Sequence, residues 1–161
     1  MEIKPADFFK EIRDNAIALQ EALEREIPLK IAVAAVEHFK ENFQEEGFVD
    51  DSLQKWDPAK RKNKLKYSKK GNPLKSQPAS VNRKTLTGSG NLGRSIKYKL
   101  SNGNIIIYSD LIYAPVHNEG LRAGRGAGFI MPKRQFIGDS KKLFEKIDNI
   151  MITEIDKILK S

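Results

Sequence analysis

Gly88, Gly90 and Gly93 stand at the spacing G-x-G-x-x-G, the pattern with which a tight turn and a helix N-terminus receive a dinucleotide pyrophosphate. That chemistry needs a buried strand directly before the glycines, and the run from Ser80 to Thr85 is not one. It also needs an acidic residue about 20 positions on, where Asn102 to Ser109 lies instead. These glycines therefore read as turn and cap residues. A second run, Gly124 to Gly128 between Arg122 and Arg125, could cradle phosphate on backbone amides. It lacks the Lys-Ser/Thr ending of a P-loop and reads as a mobile loop at an interface. His117 and Glu119 fall in the segment Tyr113 to Gly120, where a turn could aim both at one spot. One imidazole and one carboxylate make neither a metal set nor a nucleophile triad, so His117 reads as a structural histidine bonding nearby backbone. The other histidine, His38, falls on the polar side of a helix and reads as solvated or half-buried. The chain has no cysteine, which excludes disulfides and thiolate metal sites. No catalytic, metal or cofactor site is expected, and the chain does not read as an enzyme.

The charge is distributed more tellingly. Between Pro58 and Lys84 the chain carries ten Lys or Arg and no Asp or Glu. Taking those ten from the total of 29 leaves the remainder slightly acidic against 21 Asp and Glu. The segment has too few large apolar side chains to offset the entropy of ordering its backbone. It is expected to be an arm, residues 57–85, that orders against a partner and that trypsin should cut in the lone subunit. Arg61, Lys62, Lys64, Lys66, Tyr67, Lys69 and Lys70 are its candidate contact residues. Ten cations could bind phosphate with a steep salt dependence. Tyr67 alone is a poor stacking platform for single strands, and no helical stripe is present to enter a groove. A protein partner is the favoured reading, with nucleic acid as the alternative.

The remaining chain supplies the elements that would hold such an arm. One domain, residues 1–161, is expected from the length. No apolar run approaches the roughly 20 residues of a membrane span, and the amphipathic, acidic N-terminus lacks an uninterrupted apolar stretch, so a soluble intracellular protein is expected. Phe9, Ile12, Ala16, Leu19 and Leu23 recur at helical spacing. Pro28 ends or kinks that helix, or opens a second one striped by Leu29, Ala32, Val36, Phe39 and Phe43, with Gly47 as its stop. The two helices must pack on each other or on a sheet. Residues 48–84 read as a long connection pinned at its start by Trp56 through the indole. Leu86 to Ile96 reads as a short helical turn capped by Thr87 or Ser89, with Leu92 and Ile96 inward. Asn102-Gly103 predicts a two-residue hairpin turn that pairs Leu100 with Ile105 and Tyr98 with Ile107, the face better suited to the core. A last helix, capped near Asp139 or Ser140, carries the stripe Leu143, Ile147, Ile150, Met151, Ile155 and Ile158. The predicted class is α+β: long N-terminal helices and a C-terminal helix packed on a small antiparallel sheet containing the 96–109 hairpin, with a long basic loop.

Three segments, in this order, resemble the virion morphogenesis, or tail-completion, proteins of contractile-tailed phages such as Mu and P2. Leu86 to Ile96 resembles the family's L-T-x-G-x-L-x-x-S-I turn, Tyr113 to Gly120 its Y-A-x-x-H-x-x-G, and Met131 to Gly138 its x-P-A-R-x-F-L-G. Trp56-Asp57-Pro58 is similar to a W-x-P-L that precedes a basic, variable stretch. The chain departs in having Lys133 where the family tends to alanine, and in the lysine content of its arm. The resemblance implies a structural α+β subunit at the end of the tail tube that helps complete the tail and join it to the head. It implies rings, commonly sixfold, with partners among tail or head–tail connector proteins, and residence in the host cytoplasm and then the virion tail. Trp56, Tyr113, His117, Arg134 and Phe136 join the basic residues as interface candidates; for Phe136 the alternative, a place in the core, stays open.

Overall fold

The structure is a computed structural model that describes residues 5–59, 69–72 and 83–160. It opens on a helical rod. Helix α1 (Pro5–Glu21) passes through a π turn (Ala22–Glu26) straight into α2 (Ile27–Glu45). Pro28 explains the π turn: it has no N–H to donate, and its ring would meet a carbonyl of the preceding turn. The Ile27 N–H instead reaches the Ala22 carbonyl five residues back, which widens the turn and lets the helix continue. The two predicted helices are thus one rod about 60 Å long at 1.5 Å per residue, and they do not fold on each other.

The stop of α2 is Glu46, in the left-handed conformation (φ 52°), with its N–H on the Asn42 carbonyl. Gly47, expected to be the stop, is needed for a different reason: a Cβ there would sit 2.6 Å from the Gln54 carbonyl oxygen. That close approach belongs to a hairpin the sequence reading missed, β1 (Gly47–Val49) against β2 (Leu53–Lys55). The start of the expected structureless connection is therefore a strand pair. Most of the basic arm, residues 60–68 and 73–82, lies outside the described residues.

Helix α3 (Asn91–Arg94) leads into β3 (Ile96–Ser101) and β4 (Asn104–Ser109). Leu92 and Ile96 point inward as expected. The N-cap is Gly90 rather than Thr87 or Ser89, although the Ser89 hydroxyl accepts the Asn91 N–H at 3.3 Å. The β3–β4 register matches the expectation, with Leu100 opposite Ile105 and Tyr98 opposite Ile107. Asn102 and Gly103 both take positive φ, as this turn requires. Ile105 and Ile107 face the body, whereas their partners Tyr98 and Leu100 on the same face are 37% and 43% exposed.

Helix α4 (Ala114–Glu119) and a two-residue ladder, β5 (Arg122–Ala123) with β6 (Phe129–Ile130), follow. Among the described residues the sheet content is three separate two-stranded antiparallel ladders. Helix α5 (Lys141–Leu159) starts on Ser140, whose hydroxyl accepts the Leu143 N–H at 3.2 Å, the cap expected from the sequence. It runs antiparallel along α2, from Lys146–Glu41 (3.2 Å) to Lys30–Glu154 (2.5 Å). The core gathers Val36, Phe39 and Phe43 of α2 with Phe48, Trp56, Leu92, Ile96, Ala114, Phe136 and Leu143. The class is α+β.

Two expectations about α2 and α1 are overturned. His38 is 1% exposed, not solvated, because β1 and the start of α5 cover that side of α2. Helix α1 buries no residue at all: Phe9 and Ile12 of its stripe are 64% and 50% exposed. Among the described residues no helix is long and apolar enough to cross a membrane.

Candidate functional site

The segment after β6 has no strand partner, so its backbone groups must find others. The Arg134 N–H donates to the His117 carbonyl at 2.8 Å. The Trp56 indole N–H donates to the Gln135 carbonyl at 2.7 Å. Asn118 Oδ1 accepts from the N–H groups of Phe136 (2.8 Å) and Ile137 (3.0 Å), while its amide donates to the Ile137 carbonyl at 3.1 Å. Asn42, 0% exposed, donates to the Phe136 carbonyl at 3.1 Å and accepts from the Val49 N–H at 3.0 Å. Two asparagines and a tryptophan thus do for Gln135 to Ile137 what a neighbouring strand would do.

Helix α4 is tied to the same segment, and Gly120 closes it. Gly120 has φ +73°, and a Cβ there would lie 3.0 Å from the Lys133 nitrogen and the Met131 oxygen. The result is a cleft of about 610 Å³. Leu86, Asn91 and Leu92 of the first motif line one side; Tyr113 and His117 of the second, with Met131, Pro132 and Arg134 of the third, line the other. Leu86 holds an unusual left-handed backbone (φ 59°) while packing on the core. Ala59 and Thr85, at the two ends of the basic arm, also border the cleft. The Thr85 N–H is held by the Glu46 carboxylate.

Arg134, 6% exposed, donates from Nε to the Asp57 carbonyl at 2.9 Å and so anchors the arm's departure. His117 meets Tyr113 edge-on at 6.2 Å. Burial first, and the Arg134 charge second, hold its imidazole below the usual histidine value. Its Nδ1 is buried without a hydrogen-bond partner among the described residues. Glu119 does not join it: two residues on along a helix it faces elsewhere, 3.8 Å from Lys133 and beside a separate small cavity. The convergence of His117 and Glu119 that a turn there could have produced is absent. Arg122 donates to the Ala127 carbonyl within its own hairpin tip, so it serves the loop rather than an anion. Among the described residues no cluster of three or more His, Cys, Asp or Glu could hold a metal.

Of the interface candidates, Tyr113 (40% exposed), His117 and the largely buried Arg134 reach the cleft. Trp56 (8%) and Phe136 (1%) are core residues, stacked edge-on and tilted against Phe43 at 5.5 and 5.3 Å, which resolves the alternative left open for Phe136. Trp56 pins the start of the arm through its indole, as expected. Lys69 and Lys70 sit exposed in a turn. Arg61, Lys62, Lys64, Lys66 and Tyr67 lie outside the described residues.

Asn42 and Asn118 carry much of this framework and were not singled out from sequence. Asn42 was detectable as a polar residue on the apolar stripe, three after Phe39 and one before Phe43.

No curated protein and no solved structure gives a significant match to the chain. Comparison with known families aligns residues 9–156, nearly the whole chain and all three motifs, to the phage virion morphogenesis family. The chain belongs to the phage virion morphogenesis family.

Proposed function

We propose that the protein is a structural subunit that assembles at the end of the phage tail, completes it and helps join it to the head, working as a homo-oligomeric ring, commonly sixfold. Family membership supplies the phage assembly role. The observation that favours recognition over chemistry is the cleft. All three motifs converge on it, its walls are mainly apolar, its Arg134 is spent on holding backbone, and among the described residues no cluster could hold a metal. Such a surface selects a shape. Tail-tube or connector proteins are its proposed partners, with the assembling cell's cytoplasm and then the virion tail as its places.

The test is electron microscopy and gel filtration of the purified protein, alone at increasing concentration and with tail tubes. Rings, or decorated tube ends, are expected. Protein that stays monomeric at high concentration and never decorates tubes overturns the proposal. The ten-cation block favours one competing reading, binding of duplex DNA. It requires a gel shift that weakens steeply with salt and disappears when residues 59–84 are deleted; no retardation at low salt removes it.

A further inference from the structure

We propose that α1 of one copy seats its stripe of Phe8, Phe9 and Ile12 in an apolar groove on the body of the next copy. The inference rests on the ring reading above and names its contact. The groove, about 320 Å³, runs between α2, β4 and the first half of α5, walled by Ile31, Phe39, Ile105, Ile107, Phe144 and Ile147.

Both halves of the contact are present on one chain, and among the described residues nothing covers the apolar side chains at either one's surface. Phe8, Phe9 and Ile12 are 51%, 64% and 50% exposed on a helix that buries nothing, and Phe144 in the groove is 55% exposed. They cannot meet within that chain. The groove's wall is α2 itself, continuous with α1, and Ile12 lies about 35 Å along the rod from Ala35 at 1.5 Å per residue. Folding α1 back would break the rod at the π turn, where Ile27 is bonded to Ala22. A ridge on one face and a groove on another form a heterologous contact, which passes from copy to copy and makes a ring where its rotation closes. Asp7, Glu11 and Asp14 make an acidic row along one flank of the stripe, with Lys10 and Arg13 along the other. At the groove the exposed Lys142 opens α5 beside Lys141, which pairs with Asp51 at 3.8 Å, so the acidic flank is the one that faces this cationic end.

Because the chain has no cysteine, introduced ones report without background. Ile12→Cys subunits are mixed with Phe144→Cys subunits, assembled in the presence and absence of tail tubes, and oxidised. A cross-linked dimer from the mixture, and none from either variant alone, is the expected result. Phe9→Asp and Phe144→Asp should each weaken association by about tenfold or more, the scale of one lost apolar anchor. Both positions are exposed, so circular dichroism and Trp56 emission should be unchanged. If rings form but the mixture does not cross-link, or Ile12→Cys alone cross-links to itself, the contact is wrong while the ring stands. If the wild-type chain never oligomerises under either condition, the ring reading falls and this contact with it.

Discussion

Replacing Asn42 with alanine tests whether a side chain can stand in for a missing strand. The amide makes two buried hydrogen bonds, to the Phe136 carbonyl at 3.1 Å and from the Val49 N–H at 3.0 Å. Each is worth about 1 kcal/mol net, but truncation also leaves a carbonyl and an N–H buried without partners, at about 1–3 kcal/mol each. A loss of about 4 kcal/mol follows, the low end of that sum. For a chain of this length each kcal/mol moves Tm by about 2–4 °C, so the midpoint should fall by about 10 °C. Trp56, the single tryptophan and 8% exposed against Phe43, makes fluorescence-monitored urea unfolding the direct assay. Asn42→Asp adds a sign. Its carboxylate still accepts from Val49 but faces the Phe136 carbonyl without a proton to donate. Its deficit relative to wild type should therefore shrink as pH falls and the buried carboxyl takes up a proton. A loss below about 1 kcal/mol for Asn42→Ala, well under one hydrogen bond plus one unpaired group, would refute the reasoning. So would Asn42→Asp as stable as wild type at neutral pH.

The other expectations concern neighbouring parts of the same framework. Burial, and then Lys146, hold His38 below its ordinary value in the folded chain, so the unfolded chain takes the proton first. Stability should be full above about pH 6.5 and fall as pH drops from there toward the depressed folded value, by at most about 1.4 kcal/mol per pH unit. His38→Gln should remove that share of the slope in urea titrations at several pH values, and His117→Gln should remove a further share of the same sign. Trp56→Phe deletes the donor to the Gln135 carbonyl and should cost about 1–3 kcal/mol, read from thermal melts by circular dichroism. Gly120→Ala combines positive φ with contacts at 3.0 Å and should cost about 1–3 kcal/mol in the same melts.

Local rules that act over a few residues were readable in the chain. Asn102-Gly103 set the β3–β4 register because a two-residue turn admits few pairings, and Ser140 announced α5 because a cap needs only its own hydroxyl. The family motifs were readable as well, since their order survives without any knowledge of contacts. What escaped depends on partners distant in sequence. His38 looked polar-facing along α2, yet Ser140 and Val49 meet it from two other elements, at 2.9 and 3.2 Å. The Ser140 hydroxyl gives its proton to the Val49 carbonyl at 2.8 Å, so His38 Nε2 must be the donor to Ser140. No periodicity in the helix encodes that. The β1–β2 hairpin is three residues a side, too short for alternation to register against its acidic turn at Asp50 and Asp51. Pro28 was read as a break because the usual rule has no place for a five-residue back-step.

That back-step at Ala22–Glu26 also decides where the N-terminal stripe looks. An extra residue in a helix turns everything beyond it by about 100° relative to an uninterrupted one. Counted along an ideal helix, the Phe9–Ile12–Leu19 stripe and the Val36–Phe39–Phe43 stripe would point to nearly opposite sides. The wide turn takes back part of that disagreement, and α5 touches both segments. Deleting one residue there would leave both helices intact and swing the N-terminal aromatics away from their present bearing, so segment length at this point governs aim more than composition does.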